Sequence, residues 1–278
     1  MEVVILGSTG QVGRELCRVF PGARALTEKD IDMTQPGSIA DFDFSKTDLV
    51  VNAAAYTQVD TAETKEGAAL ASAINAMALM ELAEASQKNK FVLIHYSTDY
   101  VFDGEKETAY TEEDIPRPLN VYGKTKLAGD LAVLRAPQSY VIRTSWVYGE
   151  GKNFVRTMLE LSKTKKELRV VSDQIGRPTF ARDIAVATSK LFHSKAPFGL
   201  YNFTNSGEPV SWAGFAEAIF REAGIKTNVV PVTTGEYFEG KENYAKRPLR
   251  SVLDLSKIEY AGIVPRSWKE ALKEYLGE

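Results

Sequence analysis

The chain has 278 residues, of which 44% are apolar and 26% are charged, and its formal net charge is −3 at pH 7. This composition is typical of a globular protein with a sizeable core, and it excludes the disordered, collagen-like and coiled-coil classes. The weak negative charge gives no general attraction to nucleic acid or to an anionic membrane surface, so we expect neither as a partner.

Cysteine and histidine are scarce. A single cysteine, Cys17, excludes an internal disulfide framework and favours a cytoplasmic location. One cysteine and two distant histidines offer no metal site, and we predict none. The apolar run from Met1 to Gly7 is too short and wrongly flanked for a signal peptide, and no continuous apolar run approaches the roughly 18 residues of a membrane span. The run from Met1 to Gly7 instead predicts a buried first strand.

Short apolar runs alternate with amphipathic segments of helical length over the first 162 residues. Strand followed by helix, repeated, predicts an α/β fold with a doubly wound parallel sheet of the Rossmann-like kind. Ligands of such sheets bind beyond the carboxyl ends of the strands. The predicted pairs are strand 3–6 with helix 11–20, 49–55 with 68–89, 91–96 with 122–134, and 140–144 with 154–162.

The alternation loosens after about residue 150. A short apolar run at 168–171 leads to a loop through Gly176 and Pro178, and helices are predicted at 183–193, 212–222 and 268–276, with a strand at 199–203. We expect a smaller C-terminal substrate-binding lobe. The predicted dinucleotide-binding domain is 1–153 plus about 181–203, and the lobe is about 154–180 and 204–278.

A glycine loop follows the first predicted strand. Gly7, Gly10 and Gly13 are spaced Gly-x-x-Gly-x-x-Gly and open the first helix. At such a helix N-terminus, free backbone amides can hold a pyrophosphate. Gly7 permits the tight turn, Gly10 lets the backbone approach the phosphates, and Gly13 allows close packing of the helix. The context therefore predicts dinucleotide binding.

The residue that would bind the adenosine ribose is less clear. The candidates are Glu28, Asp30 and Asp32, and the last of these follows a short strand-like piece at 24–26. Arg24 and Lys29 are candidates to neutralise a 2′-phosphate. The sequence therefore predicts NADPH or NADH without choosing between them.

Later strand ends bring polar and aromatic side chains to the same edge. Residues 52–57 supply small side chains past which a cofactor can lie. Thr98 ends the third strand with a hydroxyl that can either bind a carbonyl or cap the backbone. Trp146 follows the fourth strand, as a pocket wall or as core. His95 and His193 are interpreted as structural.

Tyr122 and Lys126 lie four residues apart near the start of a predicted helix, which places them on one face. A free tyrosine titrates near pH 10, and a lysine charge within a few ångströms favours the phenolate and lowers that pKa. Such a pair can protonate a carbonyl as it is reduced. On its own the pattern is weak, and the glycine loop and Thr98 give it weight.

These features together resemble the extended short-chain dehydrogenase/reductase superfamily and, within it, the dTDP-4-dehydrorhamnose reductase family. The resemblance spans nearly the whole chain. The most specific segments are STDYVFDG at 97–104 and RTSWVYG at 143–149. The other matching segments are 7–13, 52–57, Val59-Asp60, Glu63, 121–127, 153–159, DQIGRPT at 173–179, and 247–254.

The resemblance implies reduction of the 4-keto group of dTDP-4-dehydro-β-L-rhamnose by NADPH or NADH. Tyr122 would be the proton donor, Lys126 would hold the nicotinamide ribose and tune Tyr122, and Thr98 would assist the phenol. Substrate contacts would come from Asp99, Tyr100 and Trp146, with Arg247 and Arg250 suited to a nucleotide diphosphate because guanidinium matches phosphate oxygens. Cofactor contacts would carry over to Gly10, Gln11, Val12, Asp32, Met33, Ala55, Tyr56 and Thr57.

Other functions of this superfamily remain as alternatives. Nucleotide-sugar 4,6-dehydratases carry Asp-Glu after the threonine, where this chain has Asp99-Tyr100, so dehydration lacks its base and is disfavoured. An epimerase is a weaker alternative. The non-catalytic regulatory subunit of methionine adenosyltransferase has the same fold and a similar YGKTKL segment, so cofactor binding without turnover is a further alternative. A homodimer is one arrangement that the sequence leaves open.

Overall fold

The computed structural model describes residues 1–277 and contains a central sheet flanked by helices on both faces. The strands are β1 (Val3–Leu6), β2 (Arg24–Leu26), β3 (Leu49–Asn52), β4 (Val92–Thr98), β5 (Ser139–Thr144), β6 (Val147–Tyr148), β7 (Glu167–Val171), β8 (Ile175–Gly176), β9 (Thr179–Phe180), β10 (Gly199–Asn202), β11 (Val210–Ser211) and β12 (Asn228–Val232). The helices are α1 (Gln11–Val19), α2 (Lys65–Ser72), α3 (Ala78–Asn89), α4 (Val121–Val133), α5 (Phe154–Ser162), α6 (Ala181–Ser194), α7 (Trp212–Glu222), α8 (Thr234–Phe238), α9 (Ser256–Tyr260) and α10 (Trp268–Gly277).

The central sheet has six parallel strands in the order β10-β5-β4-β3-β1-β2. The order reverses between β1 and β3, and a sheet of this kind opens a crevice beyond the strand ends where it reverses. The predicted doubly wound, Rossmann-like sheet is therefore confirmed, and its switch point lies beside the glycine loop.

Alternate residues of each strand pack on opposite faces of the sheet. Val3 and Ile5 contact the layer formed by α1 and α6, whereas Val4 and Leu6 contact the layer formed by α3 and α4. The strands are apolar on both sides because helices cover both sides. This arrangement fixes the carboxyl ends of β1, β3, β4 and β5 along one edge.

A single helical run, Lys65–Asn89, joins β3 to β4. It consists of α2, a turn of π-helix at Ala73–Met77, and α3. Within residues 1–277 it is the one segment long and apolar enough to cross a membrane by length and composition. Leu79 and Leu82 are fully buried in the core beneath the sheet, as expected of a helix that covers a sheet.

The smaller lobe is built around helices α5, α7 and α10. Their apolar faces surround Phe215 and Ile219 on α7 and Trp268 on α10. Strands β7 and β12 form a parallel pair beside them, β8 pairs antiparallel with β11, and β6 pairs with β9.

Three sequence interpretations differ from the structure, two in this lobe and one in the helical run between β3 and β4. The predicted loop through Gly176 contains β8, and β12 was not predicted because Pro231 interrupts it. Proline is tolerated there since β12 has a free edge in a two-stranded sheet. The predicted helix 68–89 begins earlier, at Lys65, where the Thr64 side chain caps it by accepting the Gly67 N–H. The proposed division into two domains stays a prediction, although β10 does join the main sheet.

Candidate active site

The glycine loop between β1 and α1 has the geometry of an anion site. Gly7 has φ +73°, and a Cβ there would lie 2.5 Å from the Ala54 nitrogen. Gly10 is the N-cap of α1 and no side chain caps this end. The first-turn amides of Gln11, Val12 and Gly13 have no intrahelical acceptor, because they are the leading N–H groups of a helix. The residues present therefore fit a dinucleotide pyrophosphate.

A cleft of about 270 Å³ extends from this loop. Its wall includes five of the predicted cofactor residues, which are Gly7, Gly10, Asp32, Met33 and Ala55. Ala53 and Ala54 also contribute to it. Asp32 is exposed, and its carboxylate accepts the backbone N–H and hydroxyl of Thr34 at 2.9 and 2.7 Å, which lower its pKa. The cleft suits an adenosine.

Arg24 does not line this cleft. It begins β2, and the cleft lies beyond the carboxyl end of the sheet. Its guanidinium lies 4.8 Å from the Phe42 ring centroid and 3.3 Å from Glu2. Lys29 does not line the cleft either. Neither cation lines the cleft in this structure, and their role at a 2′-phosphate stays a prediction.

Tyr56 and Thr57 continue from the cleft towards α4. Tyr56 is buried, and its backbone N–H and C=O bind the side chain of Asn75 at 2.9 and 3.1 Å. Thr57 is exposed. Asn75 also donates to the Thr125 hydroxyl on α4 at 3.2 Å. The π-helical turn that carries Asn75 therefore fixes the loop after β3 against the helix that carries Tyr122.

Thr98 and Tyr122 meet at the carboxyl end of β4. Asn120 caps α4 by accepting the Gly123 N–H at 2.7 Å, which sets Tyr122 in the first turn. The Thr98 hydroxyl donates to Asp99 at 3.1 Å, accepts the Tyr100 backbone N–H at 3.2 Å, and lies beside the Tyr122 phenol.

The expected acidification of Tyr122 is wrong for this structure. Burial raises the pKa of the phenol, and the charge of Asp99 raises it further, whereas the neighbouring Thr98 hydroxyl acts to lower it. Lys126 is not among the groups that shift it. The Lys126 nitrogen instead contacts the Tyr96 carbonyl oxygen and His95 Nε2 of β4.

Lys126 is almost fully buried under β4. Its Nζ lies 2.5 Å from the Tyr96 carbonyl oxygen and 3.0 Å from His95 Nε2. Burial lowers the pKa of Lys126 to about 8, and the charge of Asp130 opposes that shift. His95, interpreted from the sequence as structural, therefore contacts a predicted catalytic residue. His193 is exposed near the end of α6, away from this edge.

Asp99 is predicted to contact substrate, but in the structure its side chain does not face a cleft. It is 2% exposed, and its carboxylate accepts hydrogen bonds from Thr98 and from Ser251 of the C-terminal lobe. Burial raises the pKa of Asp99 to about 6. Its contacts link the Thr98 hydroxyl to the segment after Arg250, so any influence on a sugar is indirect.

Arg247 and Tyr100 form a bridge across the mouth of the site. The Arg247 guanidinium donates to Asp60 at 2.8 Å and to the Ala245 carbonyl at 2.9 Å, and it lies beside the Tyr100 hydroxyl. The Tyr100 ring meets Tyr122 edge-on, with centroids 5.8 Å apart. Arg250 is half-buried, and its Nε has no hydrogen-bond partner among residues 1–277.

Trp146 lies in the left-handed region at φ +49° and stacks on Trp212 with ring centroids 3.5 Å apart. Next to this pair is a cavity of about 450 Å³ in the C-terminal lobe. Aromatic and cationic side chains form much of its wall. The sequence analysis does not identify them as site residues, because the spacing of these residues indicates only helices and strands. These side chains are Phe154, Arg169, Trp212, Tyr237, Phe238, Lys241 and Tyr244, and Arg247 and Asp60 complete the rim.

No group of three or more His, Cys, Asp or Glu side chains that could hold a metal ion occurs in the described part of the chain. Glu236, one of the carboxylates near the C-terminal lobe, serves instead in the capping box of α8 with Thr233.

Comparison with known proteins gives full-length matches. A family model described as RmlD substrate binding domain covers residues 1–278. The chain is 45% identical to the spore coat polysaccharide biosynthesis protein SpsK of Bacillus subtilis, covering 100% of this chain and 97% of SpsK. It is 42% identical to a dTDP-4-dehydrorhamnose reductase of Aggregatibacter actinomycetemcomitans, covering 98% and 97%.

Solved structures agree with the sequence relatives. A dTDP-4-dehydrorhamnose reductase from Clostridium acetobutylicum superposes with a TM-score of 0.93 at 40% identity, covering 100% of this chain and 99% of the other. The enzyme of the same name from Bacillus anthracis, solved in complex with NADP, superposes with a TM-score of 0.90 at 35% identity and 99% coverage of both chains. The chain belongs to the RmlD family, whose named members include the dTDP-4-dehydrorhamnose reductases.

Proposed function

We propose that this protein is a cytoplasmic reductase that uses NADPH or NADH to convert the 4-keto group of dTDP-4-dehydro-β-L-rhamnose into the hydroxyl of dTDP-L-rhamnose. The family match and the names of the full-length relatives support the reaction. The NADP complex of the Bacillus anthracis enzyme supports the cofactor.

The contact between Tyr122 and Thr98 carries the proposal. It lies at the carboxyl end of β4, along the same sheet edge as the glycine loop after β1. On its other side is the aromatic and cationic cavity of the C-terminal lobe. A carbonyl held at this contact would lie between a dinucleotide site and a pocket for a larger, anionic group.

Tyr122 is the proton donor in this proposal. A nicotinamide cofactor, when bound, supplies hydride, and the protein supplies position and a proton. Since the pKa of the phenol is raised, Tyr122 keeps its proton throughout the neutral range. Hydride addition to a carbonyl produces an alkoxide, which is a stronger base than a phenolate. Proton transfer from Tyr122 to that oxygen is therefore downhill without prior acidification.

Thr98 and Lys126 assist from the sheet side. Thr98 lies beside the phenol and would orient the Tyr122 hydroxyl. Lys126, one helical turn further along α4, would hold the nicotinamide ribose, for which its Nζ must leave the Tyr96 carbonyl and His95. The amides after Gly10 would hold the pyrophosphate, with Asp32 and Met33 at the adenosine and residues 55–57 along the path between them.

The cavity beside Trp146 and Trp212 is the proposed site of the nucleotide. Its aromatic walls suit a base or sugar ring, and Arg169, Lys241 and Arg247 bring three cations to its wall for a diphosphate. Arg250, with its unpaired Nε, is a further candidate. Tyr100 contributes through its contact with Tyr122. We retain the division into a dinucleotide-binding domain (1–153 and about 181–203) and a substrate-binding lobe.

The direct test is turnover by the purified protein. Oxidation of NADPH and of NADH is followed by absorbance in the presence of dTDP-4-dehydro-β-L-rhamnose, and the product is identified by NMR. The proposal requires dTDP-L-rhamnose as product. Tight cofactor binding with no turnover would instead favour the non-catalytic regulatory alternative, and a product epimerised without net reduction would favour an epimerase.

A further inference from the structure

Asn52 and His95 form a buried polar pair beneath Lys126. They face each other in the register of β3 and β4, and neither is exposed to solvent. Asn52 Nδ2 lies 3.0 Å from His95 Nδ1, and His95 Nε2 lies 3.0 Å from Lys126 Nζ. Three polar side chains thus run in one line from the end of β3 to α4.

The direction of these hydrogen bonds is set by a backbone amide. Asn52 Oδ1 accepts the Ala54 N–H at 3.1 Å, and a backbone N–H can only donate. This contact orients the Asn52 amide so that its NH₂ group faces His95. The NH₂ group donates to His95 Nδ1, so Nδ1 carries no proton, and a neutral imidazole then carries its proton on Nε2.

The consequence falls on Lys126. The Nε2–H of His95 points at Lys126 Nζ and needs a lone pair there. An ammonium has none, whereas a neutral amine has one and still donates to the Tyr96 carbonyl. The neutral amine is therefore the form of Lys126 that satisfies every partner in the line.

We propose that His95 is a positioning residue that, in the tautomer selected by Asn52, holds Lys126 as a neutral amine in the protein without bound dinucleotide. Charging Lys126 then requires loss of the Ala54 hydrogen bond or movement of Nζ away from His95 Nε2. Protonation of Lys126 is thus coupled to the direction in which its nitrogen points. The relevance to catalysis rests on the proposed function, but the protonation states do not.

The surrounding charges act on Lys126 in both directions. Burial, opposed by the Asp130 carboxylate, brings its pKa to about 8, and the hydrogen-bond line must lower the pKa further for the amine to be neutral at pH 7. Asp130 is itself paired with Arg143 at 3.4 Å, which weakens its pull on Lys126. The helical segment packed on the other side of α4 contributes Asn75, which does not titrate. The titratable side chains of the neighbouring elements are Tyr122 and Asp130 on α4, His95 and Tyr96 on β4, Asp99 and Tyr100 after β4, and Arg143 on β5.

Nitrogen-15 NMR can read the tautomer directly, because the chain has only two histidines and His193 is exposed. In protein labelled at histidine, we expect His95 to keep a protonated Nε2 and a bare Nδ1 from pH 6 to 9. A protonated Nδ1, or an imidazolium in that range, would overturn the proposal.

The charge of Lys126 is read from the pH dependence of its ¹³Cε shift, assigned with Lys126→Met. His95→Gln should raise the titration midpoint of Lys126 by at least about one pH unit, because a glutamine oxygen at the position of Nε2 accepts from an ammonium. Tyr96→Phe is the matched control. It removes the buried bond from the Tyr96 hydroxyl to Thr188 and keeps the backbone oxygen that binds Lys126, so the midpoint should not move.

An unchanged midpoint in folded His95→Gln would overturn the proposal. If that variant does not fold, Asn52→Asp serves instead, because the carboxylate keeps an acceptor for Ala54 and replaces the donor facing Nδ1 with an acceptor. The His95 proton should then move to Nδ1, and a tautomer that stays unchanged would contradict the inference. Every readout uses protein without substrate, so a failure of the proposed reductase activity would leave these results intact.

Discussion

Gly10 and Gly13 of the dinucleotide loop should respond in opposite ways to the same added methyl group. A Cβ on Gly13 would lie 2.1 Å from the Gly7 carbonyl oxygen and 2.8 Å from the Ser8 Cα, both backbone atoms. A Cβ on Gly10 would meet only the Gly7 oxygen, at 3.4 Å, which is ordinary contact. Gly13→Ala therefore tests packing of α1 on the loop, whereas Gly10→Ala tests the space reserved for phosphates.

The expected magnitudes differ accordingly. In Gly13→Ala the oxygen must retreat from 2.1 Å to an ordinary contact, and overpacking of this kind costs about 3 kcal/mol or more when backbone must move. A loss of that size lowers the unfolding temperature by roughly 6–12 °C in a protein of this size. In Gly10→Ala the stability should stay within about 1 kcal/mol of the wild type, since its φ of −72° suits alanine.

Cofactor binding should show the reverse order. The methyl group of Gly10→Ala stands where a pyrophosphate would approach the first-turn amides. Loss of one hydrogen bond to a charged group costs about 1.5–3 kcal/mol, or roughly a 10- to 100-fold rise in the NADPH dissociation constant. Thermal unfolding and fluorescence titration with NADPH, run on both variants, measure the two effects. Wild-type affinity in Gly10→Ala, or wild-type stability in Gly13→Ala, would refute the reasoning.

Three further predictions concern the site and its supports. Tyr122→Phe should lower kcat by about 10²- to 10⁴-fold and leave the NADPH dissociation constant unchanged, because only the proton donor is lost; wild-type turnover would remove the assigned role. For Asp99, burial raises the folded pKa to about 6 from an ordinary value of 3.8, so the folded state holds the proton more tightly than the unfolded state and stability is lost as pH rises from about 4 to 6. Urea unfolding at pH 4 and pH 7 should therefore show that Asp99→Asn removes a pH-dependent loss of about 2 kcal/mol, and parallel curves for the two proteins would contradict this. Asn120→Ala should lower the free energy of unfolding by about 1–2 kcal/mol, because it removes the cap of α4 and the bond to the Lys246 carbonyl. Lys124→Ala, on an exposed face of the same turn, is the control. Equal losses of stability in the two variants would argue against the cap.

The local parts of this architecture could be predicted from the sequence. The period of apolar residues located most elements of the sheet, and the strand end at Thr98 and the helix start at Tyr122 were both recognised. Their contact followed from general topology, since the ends of parallel strands share an edge. What could not be predicted depends on register and on long-range contacts. The partnership of His95 with Asn52 requires the pairing of β3 with β4.

The charge interactions of the site were the least predictable. A four-residue spacing suggested that Lys126 acts on Tyr122, yet the lysine nitrogen binds a strand carbonyl and a histidine that belong to other elements. Arg247 was chosen for its chemistry alone, and its partner Asp60 lies 187 residues away in the sequence. Spacing along a helix defines a face, but it does not define which neighbour a long side chain reaches.

The π-helical turn at Ala73–Met77 sets the phase of the whole crossover from β3 to β4. Each residue advances an α-helix by about 100°, and a wide turn absorbs one extra residue, so everything that follows keeps a phase that differs by that angle from a regular helix of the same sequence. Before the turn, the helix faces the loop after β3; after it, Leu79 and Leu82 face the sheet. A regular α-helix of the same sequence would turn those leucines by about 100° out of the hydrophobic layer, so the irregularity is what lets one helix serve two surfaces.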